Sequence, residues 1–117
     1  MSNVTEERIP DRAYLELVAE LILRGASAGL RYVDAAQRSG HTRKLGAEMD
    51  RRLAHLTPDD RGALLNAWLQ NDLVKPVADL VRIAAVEGLD RVEVLSRAEI
   101  LGEAAASRLF VDHHGAS

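Results

Sequence analysis

The stretch Tyr14–Ala35, YLELVAELILRGASAGLRYVDA, sets the architecture of this 117-residue chain. Within it Tyr14, Val18, Leu21, Gly25, Ala28, Tyr32 and Ala35 recur in steps of four and three. A helix turns once per ~3.6 residues, so this spacing returns to one face. The phase survives the small-residue run Gly25-Ala26-Ser27-Ala28-Gly29, which favours one long helix over two. Proline suits a first helical turn and aspartate caps free N–H groups, so Pro10 or Asp11 can open the helix. It is expected to cover about 11–38, or ~40 Å at 1.5 Å per residue. The rival reading stops a first helix at Arg24, with Gly25 as its C-terminal cap. Two glycines inside a helix cost roughly 1 kcal/mol each relative to alanine, a loss that close packing would offset.

Outward from this helix, Ser39-Gly40 marks a break. A second helix is expected near His41–Leu56, on the stripe Leu45, Met49, Leu53, Leu56. Thr57-Pro58-Asp59-Asp60 is the sharpest boundary: threonine caps, proline takes the first helical position, and two aspartates meet the positive end of the helix dipole. The third helix carries Leu64, Leu65, Trp68 and Leu69 toward Asn71 or Asp72. Pro76 then kinks it or starts a fourth, with Val77, Leu80, Val81 and Ala84 on one face and Gly88 at the end. Leu89–Leu95 reads as turn, strand or helix. Ser96-Arg97-Ala98-Glu99 fits a capping box for the last helix, with Ile100, Leu101, Ala104 and Leu109 inward. Residues 1–9 and 111–117 are expected to be loose.

The fold class is therefore all-α: one compact domain of four to five helices. A core of this size needs no disulfide or metal. Hydrophobic residues make up 47% but only four are aromatic, so the core must be aliphatic. The absence of cysteine excludes structural disulfides and thiol chemistry. No apolar run approaches the ~20 residues of a membrane span, and the N-terminus lacks the order of a signal peptide. A cytoplasmic location, no membrane partner and no cofactor are the expectations. Thirteen arginines against two lysines, with abundant alanine, suggest a GC-rich bacterial source.

Charge is uneven along the chain. Residues 1–56 carry nine basic and eight acidic groups, residues 57–117 six and ten. Neither half is built for bulk phosphate neutralisation, so nucleic acid is a disfavoured partner. Acid-before-base pairs at Glu20–Arg24, Asp34–Arg38, Glu48–Arg52 and Glu93–Arg97 mark solvated helical faces.

The first candidate site is the seam Tyr14, Val18, Leu21, Gly25, Ala28, Gly29, Tyr32, whose side chains shrink to a notch between two tyrosines. Such a notch admits a neighbouring helix of the same chain, a second copy of the chain, or a ligand. The second is an anion patch at Lys44, Arg51, Arg52 and His55, set against the plain reading of a solvated helix face. The third lies in residues 77–97. Ala84, Gly88 and Val94, supported by Ile83 and Leu89, have the spacing of a helix-turn-helix, and the stretch resembles that generic bacterial motif. That resemblance implies a DNA-binding regulator, yet Asp90, Arg91, Val92, Glu93 and Leu95 make a poor reading helix.

No reaction is legible. The histidines His41, His55, His113 and His114 lack chelating spacing, and no glycine elbow or phosphate loop is present. Glu16 with Glu20, and Glu99 with Glu103, are i,i+4 acid pairs, the spacing by which two helices could jointly hold a metal. An enzyme is thus the less favoured class. The reading is a small soluble interaction or regulatory protein, homodimeric or bound to another helical protein, acting through a helix surface. The alternatives are the helix-turn-helix regulator and a ligand-binding or enzymatic bundle, with Tyr14, Tyr32, Asn66 and Asp72 as pocket polar groups.

Overall fold

A computed structural model describes residues 11–39 and 43–112. The expectations placed on 1–9 and 113–117, and on His41, lie outside them; Val111 and Asp112, expected to be loose, are instead paired in a strand. Helix α1, Asp11–Ser39, is one uninterrupted helix through Gly25 and Gly29. After it come strand β1, Arg43–Leu45, and the short helix α2, Ala47–Leu53. Helix α3 spans Pro58–Glu87, helix α4 Arg91–Ser107, and strand β2 Phe110–Asp112. The molecule is an all-α bundle with one small ribbon, in which β1 and β2 pair antiparallel with Leu45 opposite Phe110.

Four further local expectations change. The second helix is shorter than 41–56, because its first residues pair with β2 instead. Gly46 continues that ladder, its N–H donating to the Leu109 carbonyl at 2.8 Å. Met49 and Leu53 still point into the core. Of the two readings of Pro76, a kink in the helix or the start of a fourth, the second is overturned: α3 runs through it as one helix. Proline removes the amide that would bond the Asp72 carbonyl, a change worth ~3 kcal/mol in a free helix. Leu73 and Val77, on either side of it, are fully buried, and that packing holds the helix together. Thr57 caps α3 as expected, accepting from the Asp60 N–H at 3.2 Å. At the other end Gly88 sits in the left-handed region at φ 71°. The Leu89 N–H then closes back on Ala84 O at 3.1 Å, a bond that L side chains would hinder.

The ambiguous stretch 89–95 resolves as turn and helix. Asp90, not Ser96, caps α4, accepting from the Glu93 N–H at 2.8 Å. The fourth change is the inward face of α4, which consists of Val94, Ala98, Gly102, Ala105 and Ala106. Ile100 points to solvent and Ala104 is exposed, while Leu109 is buried as expected.

Helices α1 and α4 run parallel, with α3 antiparallel to both. The direction follows from the contacts. Gly25 lies against Ala98 and Leu73, whereas Gly29 lies against Gly102 and Leu69. A Cβ at Gly25 would stand 2.9 Å from the Ala98 carbonyl oxygen, and one at Gly29 2.9 Å from the Gly102 oxygen. A Cβ on Gly102 would overlap the Gly25 carbonyl itself. The two backbones therefore touch directly, which only glycine on both sides permits. Leu21, Leu69, Leu73 and Val77 fill the interior, and among the described residues no polar or charged side chain is buried. No described helix is long and apolar enough to cross a membrane.

Candidate functional site

The seam on α1 is an internal surface. Leu21, Gly25, Ala28 and Gly29 are buried, and Tyr14, Val18 and Tyr32 are half-buried against the core. The neighbour that approaches the notch is α4 of the same chain, with Leu69 and Leu73 of α3 beside it. That packing takes the space the sequence offered to a second copy or to a ligand between the tyrosines. Tyr32 meets the Phe110 ring with centroids 6.2 Å apart, so the end of the seam is closed by β2.

The anion patch does not assemble into a free cationic cluster. Arg51 donates to Glu48, and Arg52 donates to the same carboxylate at 3.1 Å. These two guanidiniums, Arg51 first, hold the Glu48 carboxyl below its ordinary range. Lys44 is exposed on the ribbon and His55 is exposed in the turn after α2. One member of each acid pair is also committed. Glu20 accepts from Arg91, and Glu99 accepts from Arg24 at 3.4 Å. Both bonds tie α1 to α4, in place of the Glu20–Arg24 pair within one helix. The Asp34–Arg38, Glu48–Arg52 and Glu93–Arg97 pairs form as expected. Among the described residues no group of three His, Cys, Asp or Glu could hold a metal.

Residues 77–97 form a tight antiparallel hairpin. Its helices stay together over their length: Ile83 and Ile100 line one groove, and the far ends join where Arg108 donates to Asp72 at 2.7 Å. A DNA-reading pair crosses instead at a steep angle, which frees its second helix to enter a groove. Asp90, Arg91 and Glu93 are occupied in the cap and in ion pairs. Asp72, offered as a pocket group, belongs to the Arg108 bond. A hollow of about 390 Å³ between α1, α2 and α3 does present Gln37, Asp50 and Arg61. Those three side chains are exposed, so the hollow lacks the convergent buried polar groups of a ligand site.

Among the described residues the exposed large hydrophobics are Leu15, Leu23, Val74, Ile83, Val86, Val92 and Ile100, and four of them fall in two bands. Leu15 is 61% exposed and Leu23 54% on the outer side of α1. Ile100 is 60% exposed and Ile83 43% in the groove between α4 and α3. The α1 face is a shallow trough with Ala19 and Ser27 at its low points and Glu16, Arg24 and Arg31 around it. The α3–α4 groove has Pro76, Leu80 and Leu101 as floor and Asp79 and Arg97 at its rim. Sequence reasoning missed both surfaces because it assigned each helix one apolar face. The available signal was the surplus: Leu15, Ala19 and Leu23 repeat at i, i+4, i+8 outside the seam. No family model, no curated protein and no solved structure matches the chain.

Proposed function

We propose that this protein is a helical interaction protein that works by presenting helix surfaces to a protein partner, either a second copy of the chain or another helical protein. The observation that carries the reading is the pairing of an interior that, among the described residues, buries no polar side chain, with large hydrophobics left outside it, among them the two bands Leu15/Leu23 and Ile83/Ile100. Isolated exposed aliphatics are ordinary on any protein, but bands rimmed by charge mark contact sites. Helix-in-groove and helix-on-helix contacts use anchors at this spacing.

The test is residue-specific cross-linking in the producing cell. A photoreactive amino acid replaces Leu23, Ile100 or, as a control on an exposed polar face, Ala63. Discrete adducts from position 23 or 100 and none from 63 are expected. No adduct from either band, or equal labelling at all three positions, overturns the reading.

A further inference from the structure

We propose that a second copy of this chain packs antiparallel on the outer ridge of α1, on a two-fold axis at Leu23. This rests on the helix-surface reading above and names its partner. Leu15, Ala19, Leu23, Ser27 and Arg31 follow one another at i+4, forming a single ridge that faces away from α3 and α4. Small residues flank Leu23 on both sides, so two such ridges can approach closely. At the axis the two Leu23 side chains lie side by side, and Ala19 of each copy faces Ser27 of the other.

Charge fixes the occupant and its direction. Two of the four ionised groups around the trough are already used within the chain, Glu20 by Arg91 and Arg24 by Glu99. The other two, Glu16 and Arg31, are exposed and have no partner among the described residues. They sit at either end of the ridge, with Leu23 at their midpoint. A two-fold axis at Leu23 lays each Glu16 on the partner's Arg31, which makes two ion pairs from four unpaired groups. A parallel copy would set Glu16 on Glu16 and Arg31 on Arg31, and it is repelled. The α3–α4 groove has no such demand: Arg97 is held by Glu93, and Asp79 by Arg82 and Lys75. One helical ridge buries less than the ~800 Å² per partner of a standard interface, so the dimer is reversible and populates with concentration.

The test is sedimentation equilibrium of the full chain from tens of micromolar to millimolar, with helicity checked by circular dichroism. Wild type is expected to shift from monomer to dimer across that range. Glu16→Arg alone and Arg31→Glu alone each turn two attractions into two repulsions and weaken the dimer about tenfold. An equimolar mixture of the two variants recovers a heterodimer, because each contributes the charges the other lacks. Leu23→Glu leaves a folded monomer, and Ile100→Glu leaves the dimer intact. A wild-type monomer throughout, a dimer indifferent to both reversals, or a dimer broken by Ile100→Glu and not by Leu23→Glu overturns the proposal. A monomer that still forms adducts with another protein from position 23 would overturn it while leaving the helix-surface reading in place.

Discussion

Gly102 is the residue on which the interior closes. Its missing side chain lets α4 rest on the Gly25 carbonyl, and a methyl group there would overlap that oxygen. Gly102→Ala gains about 1 kcal/mol of helix propensity and loses more by forcing α1 and α4 apart. The expected net cost is about 2 kcal/mol in denaturant unfolding. Gly62→Ala is the control: nothing lies within 4 Å of its would-be Cβ, so the same change there should stabilise by about 0.5–1 kcal/mol. Equal effects at the two positions would show that α1 and α4 are not in backbone contact. Gly25 and Gly29 are legible in the sequence as a point of close approach. Their counterpart is not, because a hydropathy reading ranks Ile100 above Gly102 as core. Distance decides instead. Where two backbones touch, the small residue goes in and the large one is displaced to the surface.

At the scale of the element, helix ends are legible when their chemistry is local. Thr57, Pro58 and Gly88 act as their residue types dictate, and α1 runs through its glycines on the strength of its periodicity. The start of α4 is misread because two capping sequences compete, and Ser96 lies nearly two turns beyond the cap that follows the turn at Gly88. Asp90→Ala removes the acceptor of the Glu93 amide and should cost about 1 kcal/mol. Ser96→Ala should be neutral, and thermal unfolding distinguishes the two. The ribbon is illegible for a different reason: three helices, α2, α3 and α4, separate β1 from its partner, and three residues carry too little pattern to announce it. In α2, the two arginines on Glu48 give a pH effect of defined sign. Glu48 has a depressed folded-state pKa. Its contribution is present above the unfolded value and is lost as pH falls through the folded one. A carboxyl-detected NMR titration should place its midpoint below those of exposed, unpaired glutamates. Arg51→Gln should move it back up, and an unchanged midpoint would show that the pair does not form in solution.

At the scale of the molecule, the parallel run of α1 and α4 brings two segments from opposite ends of the chain side by side, while the α3 between them returns the chain. The ends of both helices then fall together, which is why β1 and β2 can pair, and the bonds Glu20–Arg91 and Arg24–Glu99 fasten the same two helices further along. The backbone contact of Gly25 with Gly102 thus joins residues far apart in sequence, and closing it requires the whole intervening segment to be in place. During synthesis this has a direct result. Once α1 and α3 have emerged, the Gly25–Gly29 slot stands open with its backbone in water, and it stays open until the segment carrying Gly102 leaves the ribosome. The helix cut to fit the slot is made after both of its neighbours, so the nascent bundle carries a vacancy that a later segment of the same chain completes.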